Sequence, residues 1–258
     1  GVSPALVGMA FLIVSIVDAI ADPIVGTWSD RFHSRWGRRH PFMFCSAFPI
    51  AIGFYFLYQP INGLSEEGLV VWLVVFFAVV RLGQTFYLIP HDALGAELTD
   101  DYDERTSIFG YNNVAEMILS MVTSVILVYL IFPTVEEGKH GMLNEAGYVV
   151  MAWTGSITIL FSVLLCTLGT LDQLPYTQKT EVSQKFFIRG YFAEIRALLR
   201  NPSYLAACLS LLIMMIGLGI IAVVANYAYI YVFEISSEQM VWAAAAKTPG
   251  VFIALPLL

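Results

Sequence analysis

Apolar runs of about 18 residues or more recur along this chain, separated by short polar segments, and that pattern leaves few folds open. A run of that length matches the ~30 Å of hydrocarbon in a bilayer. Inside lipid every backbone N–H and C=O must be satisfied within the protein, so recurring runs of this kind are helices. Spans are expected near residues 4–27, 41–59, 69–95, 107–132, 147–171, 203–232 and 239–258, an all-α integral membrane protein of about seven helices. Composition agrees: 58% of residues are hydrophobic and 13% charged, against roughly 25% charged in soluble domains. The opening span is too long for a signal peptide and lacks a basic leader. The chain starts at Gly1 and is still apolar at Leu258, so it is expected to be a piece of a longer protein. Cys45, Cys166 and Cys208 lie in apolar runs without metal-ligand spacing and read as packing residues.

Charge placement sets an expected orientation. Arg31, Arg35, Arg38 and Arg39 follow the first span, and Arg105 follows the third. Lys179, Lys185, Arg189, Arg196 and Arg200 occupy the long connection after the fifth. These are ten of the thirteen Lys and Arg, all on alternate connections, so by the positive-inside rule those loops face the cytoplasm. Topogenesis accounts for the basic loops, and no nucleic-acid partner is implied. The connection 172–202 is polar at first and then amphipathic over 186–199, where Phe187, Tyr191, Ile195 and Leu198 recur at helical spacing before Pro202. It reads as a cytoplasmic loop lying along the interface. It divides the chain into a helical bundle over 1–171 and the start of a second over 203–258.

The polar residues inside the spans carry the chemistry. "VDAIADP" places Asp18 and Asp22 four apart, on one helix face, with Pro23 directly after. An acid at the bilayer centre costs on the order of 2.5–3.5 kcal/mol, and such residues mark ion or substrate paths. Two like charges on one face each want a cation or a proton. Arg81, Thr85, Leu88 and Asp92 share a face of the third span; Asn112 or Asn113, Glu116, Ser120 and Thr123 share one of the fourth. Arg81 either pairs with Asp18, Asp22 or Glu116, or faces the substrate and receives a carboxylate. Tyr87, Asn112, Asn113, Asn226 and Tyr229 are candidates to stack on or hydrogen-bond a substrate, although helix packing is the simpler account of each. An enzyme is not indicated, since no HExxH or GxSxG motif is present.

"DAIADPIVGTWSDRFHSRWGRRHP" resembles the signature of the glycoside–pentoside–hexuronide:cation symporters (melibiose permease-like), within the major facilitator superfamily. "IPHDALGAELTDDYDERTSIFGYNN" is similar to that family's second landmark, in the same order and at a compatible spacing. The resemblance covers essentially the whole chain. It implies a major facilitator fold of twelve helices in two bundles, of which this chain holds helices two to eight. It implies cation-coupled symport of a sugar or glycoside by alternating access, in the inner or plasma membrane, with a lipid or lysolipid carrier as the rival reading. In that rival Arg81 or Lys247 holds a headgroup.

Residue by residue, the family's two second-helix aspartates fall on Asp18 and Asp22, and its fourth-helix threonine on Thr85. Two carboxylates and a hydroxyl are hard ligands suited to Na⁺ or Li⁺, and H⁺ shared by the acid pair serves equally. The family's sugar-binding acid, tryptophan and arginine fall on Leu88, Asp92 and Asn113, so galactoside specificity does not carry over. Asp30, Arg31, Arg35, Arg38, Arg39 and the loop arginine Arg105 fall in the cytoplasmic gate, expected to pair with helix ends of the opposite bundle. The implied partners are a small-molecule sugar or glycoside, the coupling cation and the lipid bilayer. No cofactor and no obligate protein partner is implied.

Overall fold

The structure, a computed structural model, describes residues 2–61, 63–99, 101–132, 144–173, 200–233 and 239. Among them are six α-helices and no strand: α1 (Pro4–Arg31), α2 (His40–Tyr58), α3 (Glu66–Glu97), α4 (Tyr102–Ile126), α5 (Glu145–Gly169) and α6 (Pro202–Tyr227). Each is long and apolar enough to cross a membrane. They coincide with the first six expected spans, shifted by a few residues at the ends. The seventh, 239–258, lies outside the described residues apart from its first, as does the amphipathic stretch 186–199. Short π-helical turns, Leu127–Ile131 and Ala228–Val232, extend α4 and α6.

Local chemistry fixes the helix starts. The Ser65 hydroxyl accepts the Gly68 N–H, with Glu66 and Glu67 in the first turn of α3. Asp101 accepts the N–H groups of Asp103 and Glu104 and caps α4, which is why α4 begins five residues before its apolar run. Asn144 and Asn201 cap α5 and α6 in the same way, the latter followed by Pro202. These side chains take up N–H groups that the first turn of a helix leaves without partners. Within the helices, Pro23, Pro49 and Pro90 each lack the N–H that would bond the carbonyl four residues earlier.

The described helices fall into two compact units, one holding 2–127 and 144–173, the other 128–132 and 200–233. In the first, α2 packs between α3 and α5, and α1 packs on the other side of α3. Helices cannot gain from ordinary hydrophobic burial in lipid, so close approach over small residues holds them together. A Cβ built on Gly83 of α3 would stand 2.6 Å from Ile50 Cγ1 and 3.3 Å from the Ile50 backbone nitrogen. One on Gly155 of α5 would stand 2.4 Å from the Phe54 ring. Hydrogen bonds fasten the ends: Trp72 Nε1 donates to the Phe56 carbonyl at 2.7 Å, and buried His40 Nε2 lies 3.1 Å from Thr170 Oγ1. Ser3 N–H donates to Glu66 at 3.2 Å, tying the starts of α1 and α3.

Gly83→Ala is expected to push α3 off α2 and to cost about 1–3 kcal/mol, the range for overpacking. Gly110→Ala, where nothing lies within 4 Å of the added carbon, serves as control. Thermal unfolding in detergent, followed by size-exclusion fluorescence, checks the difference; equal midpoints would remove Gly83 from the account.

Candidate functional site

The α1–α3 contact brings the intramembrane charges together. Asp18 and Asp22 present their carboxylates to Thr85, whose Oγ1 lies 3.0 Å from Asp18 Oδ1 and 3.0 Å from Asp22 Oδ1. The same oxygen is 3.2 Å from the Arg81 carbonyl. A threonine hydroxyl has one proton and here faces three acceptors, so it satisfies one of them at a time. Thr85 is buried at 5% exposure, a floor beneath the two acids. Arg81, one turn away, donates from Nη2 to Asp18 Oδ2 and forms an ion pair with it. Of the acids open to Arg81 on sequence grounds, Asp18 is the one it pairs with. Gln84 stands 3.5 Å from Arg81 Nη1, too long for a strong bond.

The donor set is two carboxylates and one hydroxyl, all oxygen. Among the described residues no group of three His, Cys, Asp or Glu side chains is gathered for a metal. Oxygen ligands of this kind suit hard monovalent ions rather than transition metals. With Arg81 counted, the site carries two negative charges and one positive.

A second cluster lies nearer the basic end of the same helices, eight residues from Asp22 along α1 and twelve from Thr85 along α3. At ~1.5 Å per residue these are about 12 and 18 Å. Arg38 donates to Glu97 at 3.0 Å and Arg39 to the same Oε1 at 2.7 Å, while Arg39 also meets Asp30 at 3.3 Å. Arg38, Arg39 and Glu97 side chains are 11%, 8% and 24% exposed, so these pairs are largely out of water. The connection reaches Glu97 because Gly37, at φ 76°, turns the chain in the left-handed region that favours glycine. Ser34 holds the turn, its hydroxyl donating to the Gly37 carbonyl at 2.7 Å. Arg31 closes α1, and Arg35 is exposed at the turn. Arg105 donates to the Thr99 carbonyl at 3.0 Å and braces the α3–α4 corner. Among the described residues, Arg38 and Arg39 thus find carboxylates within their own unit, Glu97 and Asp30.

Trp28, Phe32, Phe42 and Phe86 join the end of α1 to α2 and α3, Phe42 meeting the other three at ring distances of 5.2 to 5.9 Å.

The remaining candidates are not gathered at the acid pair. Tyr87 stacks on His91 at 5.2 Å, and both sit against the Cys166 thiol of α5. Asp92, exposed, lies 3.1 Å from His91 Nδ1. Asn112, Asn113 and Glu116 are exposed on α4, and Glu116 makes no ion pair among the described residues. Asn226 ends α6 and Tyr229 lies in the turn beyond it, both in the second unit; Lys247 lies outside the described residues. Sequence reasoning missed Glu97, quoted only as part of a motif, although an acid at the end of α3 opposite an arginine pair is a signal. It also missed the Tyr87–His91–Cys166 group, because Cys166 read as simple packing.

The whole chain, residues 1–258, matches the family described as MFS/sugar transport protein. It is 34% identical over 170 residues to an uncharacterized symporter of Synechocystis sp. (64% of this chain, 31% of that protein). It is 30% identical over 160 residues to an inner membrane symporter of Escherichia coli (59% and 35%), and 25% identical over 179 residues to an isoprimeverose transporter of Lactiplantibacillus pentosus (69% and 36%). These relatives are named as transporters, not enzymes. The chain belongs to the MFS/sugar transport family, as a multi-pass membrane protein of the major facilitator superfamily. It spans about a third of the length of the curated relatives it matches.

Glu97→Gln removes the carboxylate that two guanidiniums share. It is expected to destabilise the protein by about 3 kcal/mol, the low end for breaking a buried pair because Glu97 keeps some exposure. Thermal unfolding beside Glu67→Gln, an exposed acid in the first turn of α3, measures it. A shift no larger than the control's would mean the cluster adds nothing to stability.

Proposed function

We propose that this chain forms part of a cation-coupled symporter of a sugar or glycoside, working by alternating access, with Asp18, Asp22 and Thr85 as the coupling-cation site. The observation that carries the reading is the convergence of two carboxylates on one buried hydroxyl within a membrane helix pair. Without an ion the acids repel across that hydroxyl; a monovalent cation, Na⁺, Li⁺ or H⁺, relieves the repulsion. Sugar and cation that each favour the same closed state bind better together, and that coupling is reciprocal. Rocking of bundles about a midplane site then carries both across. The family and the names of the relatives support a sugar or glycoside as cargo.

A lipid carrier needs a free cation in the cavity for a headgroup. Arg81 is committed to Asp18, which leaves that role to Lys247 and weakens the reading of Arg81 as a receptor for a substrate carboxylate.

The basic end is proposed to face the cytoplasm, with Asp30, Arg38, Arg39 and Glu97 as part of the gate. Arg38→Ala is expected to favour the inward-facing state. Accessibility of single cysteines introduced on either side reports it, and an unchanged pattern would remove Arg38 from the gate.

Asp22→Asn is the clean test of coupling, since Asp18→Asn would also strand Arg81. The full-length protein carrying it should lose uphill accumulation of labelled glycosides while keeping counterflow exchange. Normal accumulation would overturn the assignment.

A further inference from the structure

The arginine at position 81 is not needed to make a cation site, because Asp18, Asp22 and Thr85 already supply the oxygens. Its placement nevertheless engages both oxygens of one acid: Arg81 Nη2 takes Asp18 Oδ2, while Oδ1 faces the Thr85 hydroxyl. Asp22 has only Oδ1 so engaged and is otherwise exposed. An incoming metal ion drawn to the two Oδ1 atoms and the Thr85 hydroxyl meets an Asp18 whose charge Arg81 already neutralises through Oδ2, and is repelled by the guanidinium beside it. A guanidinium cannot leave by losing its charge. It stays tethered one turn below Thr85, so it competes at a local concentration that no free ion matches. The Arg81 side chain is 44% exposed and Asp18 13% exposed, so the arginine has space to withdraw but a partly desolvated partner to return to.

Charge counting points the same way. Asp18 and Asp22 without Arg81 form a doubly negative site; with it, one net negative charge remains, and one monovalent cation neutralises it. We infer that Arg81 is the specificity-determining residue of the cation site, a built-in competitor that holds Asp18 and keeps the affinity for Na⁺ and Li⁺ low. The inference rests on the reading of Asp18, Asp22 and Thr85 as the coupling site.

The test uses purified full-length protein at fixed pH, with Na⁺ and Li⁺ as probes and calorimetry as readout. A monodisperse size-exclusion profile and a parent-like thermal midpoint show that each variant is folded. Arg81→Gln should bind Na⁺ or Li⁺ at least tenfold more tightly than the parent, and Arg81→Lys, which keeps the charge, should stay close to it. Adding Asp18→Asn to Arg81→Gln restores a single negative charge and should return the weak affinity. In Arg81→Ala, free guanidinium ion should compete with Na⁺ as the side chain did; this variant also serves if Arg81→Gln does not fold. Unchanged affinity in the neutral variants, or an equal gain in Arg81→Lys, would overturn the inference. That failure is separable from failure of the coupling site itself: if Asp22→Asn accumulates glycoside normally the site is wrong, whereas if Asp22 is required and Arg81→Gln alters nothing, only the role of Arg81 falls.

Discussion

Two carboxylates one turn apart on a lipid-embedded helix are tolerable only where a neighbouring helix brings them polar partners, and the rest of this unit is arranged around that need. α3 does so, with Thr85 beneath both acids and Arg81 on one of them. The position of α3 is in turn set by the closeness of α2, which rests on Gly83 against Ile50. The fit of apolar helices, to which lipid contributes no burial energy, thus decides whether charges that cost several kcal/mol when isolated find each other.

The two charged layers differ in kind. At the basic end, two arginines that are about nine-tenths buried meet two carboxylates, Glu97 and Asp30, so the charges balance, and the Glu97 pairs are largely out of water. At the acid pair, negative charge is in excess, and Asp22 stands exposed. The aromatic group of Trp28, Phe32, Phe42 and Phe86 ties the three helices together with side chains that carry no net charge. A cation is therefore drawn to the acid pair rather than to the balanced layer, about 12 to 18 Å away along the helices.

Much of the architecture was legible in the sequence, because hydrocarbon thickness dictates span length and periodicity dictates faces. Asp18 and Asp22 lie on one face by spacing alone, and Thr85 was placed opposite them by resemblance. What spacing does not contain is the register between helices. Arg81 had three acids within plausible reach, and the axial offset of α1 against α3 chose Asp18. Nor did spacing reveal that Glu97, almost sixty residues along the chain, meets Arg38 and Arg39 at the same level of the unit. The stripe on α4 was legible as a stripe, yet its Asn112, Asn113 and Glu116 meet no described partner in the unit, so periodicity named a face without saying what it faces.

The prolines give these helices a mechanical character. Pro23 cannot bond the Ala19 carbonyl and Pro90 cannot bond that of Phe86, so α1 loses a rung of its hydrogen-bond ladder between the two acids and α3 loses one just past Thr85. Each helix is most compliant beside its missing rung, at the acid pair in α1 and just past Thr85 in α3. Asp18 with Arg81 holds one side and Glu97 with its arginines the other, so bending falls on the softened turns. The pair behaves less like two struts than like two jointed levers with parallel hinges, able to tilt one charged layer while the other keeps its contacts.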